Sequence, residues 1–113
     1  MKNNVESDIN QLSVYEQNSQ YLGNQRQRFQ AQLLEIDSAL SEIDETKDTY
    51  KIIGNIMVKL PGKQIKEELE SKKQVINVRI ESIKKQEESV KKKTQELQKK
   101  VMDRLEKDNK QKK

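Results

Sequence analysis

Two long stretches of the chain repeat apolar residues with heptad spacing, and this pattern constrains the fold more than any other feature. Between residues 5 and 43, nine of the twelve stripe positions are apolar or aromatic, at alternating steps of three and four. The same steps return between residues 64 and 105. Such steps place apolar side chains along one side of a helix, as in a coiled coil, whereas a strand alternates every second residue. Each stretch therefore predicts a long helix with one apolar stripe.

The composition indicates that these stripes pack on each other rather than into an ordinary globular core. The 113 residues are 31% hydrophobic and 37% charged, whereas an ordinary domain is about 45–50% apolar and about 25% charged. Both helices are too polar to be stable alone, so each should bury its stripe against the other. The predicted coiled-coil core consists of Leu33, Ile36, Leu40, Ile43, Leu69, Ile76, Ile80 and Ile83.

Residues 49–60 interrupt the heptads and predict a β-hairpin. Two short β-branched runs flank Gly54-Asn55, and glycine at the first position of a two-residue loop fits a type II′ turn. Pro61-Gly62 should end the second strand, with Gly62 the best candidate for the helix cap. Reversing the chain at this turn pairs residue i with about 109 − i. In that register Arg26 and Glu87 should approach each other, Asp8 should meet Val101, and Val5 should meet Arg104.

The predicted fold is mainly α: a long antiparallel two-helix coiled coil with one β-hairpin inserted between the helices. It forms a single domain over residues 1–113. Its parts are helix 1 over residues 1–46, the hairpin over 49–60, helix 2 over 63–108 and a frayed tail over 109–113.

The charges are divided unevenly between the halves of the chain. Residues 1–46 carry three basic and eight acidic residues, a net charge of −5, whereas residues 63–113 carry seventeen basic and ten acidic residues, a net charge of +7. One interpretation is that the halves lie against each other; the other is a basic helix that binds nucleic acid or an acidic surface. Glutamates interleave with the lysines and no aromatic residue lies among them to stack on bases. We therefore expect a solvated face paired with the acidic first helix, which argues against nucleic-acid binding.

Several classes of function are excluded by the residues that the sequence lacks. It has no cysteine or histidine, and no apolar run near the roughly 18 residues of a membrane span. It also has no glycine-rich phosphate loop and no cluster of residues with metal-ligand spacing. Carboxylate pairs such as Glu67-Glu68 are consecutive, so they do not share a helix face as an acid–base pair would. The N-terminus has no signal-peptide pattern. We expect a cytoplasmic protein that is not an enzyme, with no cofactor, no catalytic or metal site and no membrane partner.

Two groups of residues are candidate binding surfaces. The hairpin is too apolar for two strands to bury and should pair with hairpins of other chains, although it could instead fold back as a cap on its own helices. Near the free ends, excess apolar residues could hold unfolded chains, although they could instead add packing to the seam. The oligomerisation set is Tyr50, Ile52, Ile53, Gly54, Ile56, Met57 and Val58, and the client-binding set is Val5, Ile9, Leu12, Val14, Tyr15, Val101, Met102 and Leu105, of which Ile9, Val14, Met102 and Leu105 lie off the stripes.

The run Tyr50-Lys51-Ile52-Ile53-Gly54, followed by Val58-Lys59 between two heptad helices, resembles the beta-class subunit of prefoldin. One hairpin favours the beta class, since alpha subunits of that family carry two. Pro61-Gly62 at the helix start, and the polar Ser19, Arg26 and Glu87 in the seam, depart from the family's pattern.

The resemblance implies a hexamer of two alpha-class and four beta subunits, joined through their hairpins in a double β-barrel. It also implies an ATP-independent holdase that captures non-native proteins at the coiled-coil tips and transfers them to a group II chaperonin. Two alternatives from other classes are a structural coiled-coil spacer or tether, which leaves the apolar hairpin unexplained, and a basic-helix nucleic-acid-binding protein.

Overall fold

The computed structural model describes the backbone of residues 2–111 and the side chains of residues 5–107. Helix α1 spans Lys2–Glu42, strand β1 spans Asp48–Ile53, strand β2 spans Ile56–Pro61, and helix α2 spans Gly62–Gln111. The two strands form an antiparallel sheet. The predicted fold class, two long helices with one hairpin between them, is confirmed.

Helix α1 ends at Glu42, four residues before the predicted boundary at residue 46. Asp44 accounts for the difference, because its Oδ1 accepts hydrogen bonds from the Thr46 backbone N–H at 2.9 Å and from Thr46 Oγ1 at 2.7 Å. The Lys47 N–H donates to the Asp44 carbonyl at 3.1 Å, which closes a turn. Such local side-chain bonds compete with helical backbone bonds. The heptad pattern conceals this turn because Ile43, the last stripe residue, lies just beyond the helix.

The other boundaries differ by smaller amounts. The strands extend one residue further at each outer end than the predicted hairpin, from Asp48 to Pro61. Helix α2 begins at Gly62 rather than residue 63, and its backbone stays helical through Gln111 where fraying was predicted from residue 109. The rest of the predicted tail, residues 112–113, lies outside the described residues.

The hairpin has the predicted register and turn. Every strand pair, from Asp48 with Pro61 to Ile53 with Ile56, joins residue i to residue 109 − i. Gly54 has a φ of +60°, whereas Asn55 does not have a positive φ. A type II′ turn needs a positive φ only at its first central residue, and type I′ needs it at both. The predicted type II′ turn is therefore confirmed.

Gly62 lies where β2 passes into α2, and it has a steric role beyond the predicted cap. Its N–H donates to the Lys47 carbonyl at 2.8 Å. A Cβ at this position would lie 2.5 Å from the Lys47 carbonyl oxygen and against the carbonyl oxygen of Asp44. Glycine is therefore required for α2 to begin against the turn that follows α1.

The chain divides into two compact units, which are described separately. The hairpin unit is residues 27–81, and the terminal unit is residues 1–26 with residues 82–113. In the hairpin unit a core of Ile36, Ile76 and Ile80 is buried. Phe29, Leu33, Leu40 and Leu69 pack against that core, and the Arg79 guanidinium lies 5.7 Å from the centre of the Phe29 ring.

In the terminal unit, Leu22, Ile83 and Val101 are the buried apolar side chains among the described residues. Its two helical segments run antiparallel, because Arg26 contacts Glu87 while Asp8, earlier in the chain, contacts Arg104. Of the eight predicted core residues, Ile36, Ile76, Ile80 and Ile83 are buried, and Leu33, Leu40, Ile43 and Leu69 are half-buried. In the described part of the chain, neither helix contains a stretch long and apolar enough to cross a membrane.

Candidate functional site

One face of the hairpin presents large apolar side chains to solvent. Because successive strand residues alternate between faces, Tyr50 and Ile52 lie on the same face as their cross-strand partners Lys59 and Met57. The exposed fractions of Tyr50, Ile52 and Met57 are 63%, 70% and 64%. We call these three residues the outer hairpin face. Both strands are also sheet edges, so their outward backbone groups are available for pairing.

The opposite face of the hairpin is partly covered. Thr49, Lys51, Val58 and Leu60 are half-buried, and Lys51 Nζ lies 2.6 Å from Glu68 Oε1 on α2. Next to the turn on this side, Ile53 and Ile56 remain 56% and 67% exposed. The alternative that the hairpin only caps its own helices therefore accounts for the covered face, and not for the outer hairpin face or the residues beside the turn. Of the predicted oligomerisation set, Val58 lies on the covered side and Gly54 forms the turn.

Charge pairs hold the base of the hairpin in the hairpin unit. Besides the Lys51–Glu68 contact, Lys66 Nζ lies 2.7 Å from Glu45 Oε1, and Lys59 Nζ lies 3.2 Å from Asp48 Oδ2. The hydrogen bonds and positive charges of Lys51 and Lys66 lower the pKa values of Glu68 and Glu45. The same Glu45 contact raises the pKa of Lys66. A hydrogen bond from the Thr46 hydroxyl, and to a smaller extent one from the Thr46 backbone N–H, lowers the pKa of Asp44.

In the terminal unit the predicted approach of Arg26 and Glu87 is confirmed. Arg26 Nε donates to Glu87 Oε1 at 2.8 Å, with side chains 30% and 25% exposed. A second pair joins Arg104 Nη1 to Asp8 Oδ2 at 2.6 Å. The predicted register placed Val5 beside Arg104, but the long Arg104 side chain reaches Asp8, which lies about one helical turn further along α1.

The predicted client-binding residues fall into two groups. Those on the heptad stripes are covered: Val101 is buried, and Val5, Leu12 and Tyr15 are half-buried. Those off the stripes are exposed, with exposed fractions of 51% for Ile9, 45% for Val14, 61% for Met102 and 45% for Leu105. We call these four residues the terminal apolar quartet. Ile9 also lines an open groove of the terminal unit together with Leu12, Tyr15 and Val90.

The basic residues of α2 pair with α1 only in part. Lys73 Nζ lies 2.7 Å from Asp37 Oδ1, and Arg104 pairs with Asp8, but the lysines between these two residues do not follow the charge pattern. All seven lysines between residues 84 and 100 are exposed, and none makes an ion pair with an acidic residue in the described part of the chain. The acidic residues of the first 46 positions cluster at residues 6–8 and 35–45, and only Glu16 lies between these clusters. In the register of residue i with 109 − i, the lysines of residues 84–100 therefore correspond to a stretch of α1 whose only acidic residue is Glu16. The lysine face is Lys84, Lys85, Lys91, Lys92, Lys93, Lys99 and Lys100.

Among the described side chains, four other large apolar residues are exposed that the sequence did not point to: Tyr21, Leu34, Val75 and Val78. They lie off both stripes, and only Val75 and Val78 are neighbours on a helix surface, so no repeating signal distinguishes them from ordinary surface residues. Among the described residues, no group of three or more acidic side chains is arranged to hold a metal ion.

Comparisons with known proteins agree with this architecture. The sequence profile of the prefoldin subunit family matches residues 6–108. "Prefoldin subunit beta" of Pyrococcus furiosus is 34% identical over 86 residues, which cover 74% of each chain. "Prefoldin subunit beta" of Thermoplasma volcanium is 31% identical over 111 residues, 95% of this chain and 90% of the relative.

A solved structure extends the likeness to the fold. The crystal structure of the prefoldin beta subunit from Thermococcus strain KS-1 superposes with a TM-score of 0.83 at 30% identity, covering 90% of this chain and 92% of the other. The predicted resemblance to the beta class is therefore confirmed. This chain belongs to the prefoldin subunit family.

Proposed function

We propose that this chain is a beta-class subunit of a hetero-hexameric chaperone that holds non-native proteins without ATP and delivers them to a group II chaperonin. The observation that carries the proposal is the exposed apolar surface of the hairpin. Five of its large apolar side chains, Tyr50, Ile52, Ile53, Ile56 and Met57, are more than half exposed.

This surface supports assembly because an isolated two-stranded hairpin is marginally stable in water. Pairing strand edges with hairpins of other chains adds backbone hydrogen bonds, and closing the joined strands into a barrel would cover one face of the hairpin. Burying apolar surface contributes about 25 cal/mol per Å². The partners in this proposal are prefoldin alpha-class subunits and other beta subunits, two alpha and four beta in all.

The terminal apolar quartet supports the holding function. Exposed apolar side chains set among charged ones can bind unfolded chains while the empty surface stays soluble. Met102 adds an adaptable contact, since methionine has flexible torsions and a polarisable sulfur. Several copies in one hexamer would bind one client with high avidity although each contact is weak. Transfer to a group II chaperonin is the part of the proposal that rests on family membership alone.

The assembly step is tested by coexpressing the chain with an alpha-class prefoldin subunit and measuring the mass by light scattering after gel filtration. The test variant replaces Ile52 and Met57 with lysine, and the control variant replaces Leu34 and Val78, which are equally exposed in the same unit. We expect a hexamer from the wild type and the control, and free subunits from the test variant. A hexamer from the test variant would contradict assembly through the hairpin.

The holding step is tested with a chemically denatured test protein diluted into buffer without ATP. We expect the assembled complex to suppress light scattering from aggregation. If the chain is only a structural spacer, aggregation should not be suppressed at any ratio of complex to client. A nucleic-acid-binding protein would instead retard an oligonucleotide and leave the aggregation unchanged.

A further inference from the structure

We propose that the lysine face makes the terminal unit selective for non-native chains that carry acidic residues beside their apolar segments. This inference rests on the proposed holding function, and it defines which clients that function favours. It comes from the finding that these lysines make no ion pair with any described acidic residue, whereas the charge pattern of the sequence predicted pairing with α1.

The lysine face covers the solvent side of α2 in the terminal unit. At 3.6 residues per turn, five of its lysines lie on the half of the helix opposite the buried Ile83 and Val101, and Lys91 and Lys93 lie on the two flanks. They are spread over about 16 residues, or roughly 24 Å at 1.5 Å per residue. An extended client segment could therefore meet several lysines in succession.

The lysine face is continuous with exposed apolar surface. Lys99 lies three residues before Met102, so the two side chains are neighbours on the surface of α2. Lys91 and Ile9 line the same open groove. A bound segment that places an apolar side chain on Met102 or Ile9 would therefore bring its adjoining residues within reach of a lysine.

The net charge of this region is strongly positive. The terminal unit contains 14 basic and nine acidic residues, a net charge of +5, whereas the hairpin unit contains nine basic and ten acidic residues, a net charge of −1. Glu88 and Glu96 interrupt the lysine face, and Glu87 is neutralised by Arg26. A local excess of positive charge attracts acidic segments and repels basic ones. It affects both how fast a segment binds and how the bound segment is aligned.

The chemistry of the face favours acidic protein segments over nucleic acid. Residues 62–113 contain no aromatic side chain on which bases could stack. Arginine is the side chain suited to bidentate phosphate contacts, and Arg104 in this unit is occupied by Asp8. Lysines on flexible stems supply adaptable point charges, which suits client segments of varied sequence.

The test uses the assembled hexamer and two denatured proteins of similar size, one strongly acidic and one strongly basic. The test variant is Lys92→Gln, Lys93→Gln and Lys100→Gln. The control variant is Lys47→Gln, Lys63→Gln and Lys72→Gln, which removes three positive charges from the hairpin unit, also outside the described ion pairs. The readout is the complex concentration that halves aggregation of each client.

We expect the wild type and the control to hold the acidic client at a several-fold lower concentration than the basic client in about 0.1 M salt. The preference should fall in the test variant. It should also fall for the wild type in about 1 M salt, where the Debye length drops from about 10 Å to about 3 Å.

Equal holding of the two clients by the wild type in low salt would overturn the inference and leave the holding function intact. Failure to hold either client would contradict the proposed function as well. Tight binding of a single-stranded oligonucleotide without any client preference would assign the lysine face to nucleic acid and also overturn the inference.

Discussion

At the scale of single residues, the two helical glycines have opposite surroundings. Gly62 has no room for a Cβ, because the carbonyl oxygens of Asp44 and Lys47 occupy that space. Gly23 lies within α1, where a Cβ would meet no atom within 4 Å. The same substitution should therefore have opposite effects at the two positions.

We predict that Gly62→Ala lowers the free energy of unfolding by about 1–3 kcal/mol, since the added methyl forces carbonyl groups of the turn to move. Gly23→Ala is the matched control and should raise it by about 0.5–1 kcal/mol, because alanine is the better helix former. Urea unfolding of both variants, followed by circular dichroism, measures the difference. Equal effects of the two changes would show that the turn does not depend on close approach at Gly62.

The carboxylates at the base of the hairpin make its stability depend on pH. The pKa values of Glu68 and Glu45 lie below their ordinary value of 4.5, and that of Asp44 lies below its ordinary value of 3.8. A carboxyl with a lowered folded pKa stabilises the fold fully above its unfolded pKa, and this contribution is lost as the pH falls through the folded value. We expect stability to decline as the pH falls through and below these ordinary values.

Glu68→Gln should reduce this acid sensitivity, because it removes the carboxylate that Lys51 stabilises. The measurement is the urea midpoint at about pH 5 and at about pH 3. Glu67→Gln is the control, since Glu67 makes no ion pair among the described residues. An identical drop in the wild type and both variants would show that the Lys51–Glu68 contact has no part in acid sensitivity.

At the scale of the elements, the polar pair Arg26 and Glu87 fixes how the two helical segments are aligned, at some cost in stability. Arg26 and Glu87 occupy stripe positions that apolar residues would otherwise fill, and they contact each other at 2.8 Å. A polar pair at core positions penalises alternative alignments of two helices, because a shift would leave each charge facing apolar side chains. Replacing such a pair by apolar residues is often neutral or stabilising, whereas removing one partner is destabilising.

We predict that Arg26→Leu lowers the free energy of unfolding by about 1–2 kcal/mol, less than for a fully buried pair because both side chains are partly exposed. Adding Glu87→Leu should restore stability to the wild-type value or above it. Thermal and urea unfolding of the single and double variants measure this coupling. A double variant no more stable than the single one would exclude the unpaired, partly buried charge of Glu87 as the cause of the destabilisation.

The elements that could be predicted from the sequence are those with a local or periodic signal. The heptad steps identify Ile36, Ile76 and Ile80 as core, and the Gly54-Asn55 pair indicates the turn type without any tertiary information. The end of α1 was misplaced because Asp44 stops the helix through its own side chain. The steric role of Gly62 and the Lys51–Glu68 contact depend on how the hairpin returns to the helices, so no local pattern reveals them.

At the scale of the whole molecule, apolar surface is exposed at two places with separate proposed roles. The outer hairpin face belongs to the hairpin unit, and the terminal apolar quartet belongs to the terminal unit. The sequence predicted both places, because off-stripe apolar residues and an over-apolar hairpin are visible in it. The heptad also separates Val101, a stripe residue that is buried, from Met102, an off-stripe residue that is exposed. It could not show how completely the seam closes around the other stripe residues Val5, Leu12 and Tyr15, which are half-buried.

We predict that replacing Ile9, Val14, Met102 and Leu105 together by serine preserves the hexamer and weakens client holding several-fold. The reason is that these side chains contribute little to the seam, being about half exposed, but supply the apolar contacts proposed for clients. The matched control replaces Tyr21, Leu34, Val75 and Val78, which are on average more exposed than the quartet, by serine. Light scattering of a denatured test protein, with the mass of each complex verified first, measures the effect. Equal holding by both variants, or weaker holding by the control, would contradict client binding by the quartet. It would indicate that clients bind the general apolar surface of the helices instead.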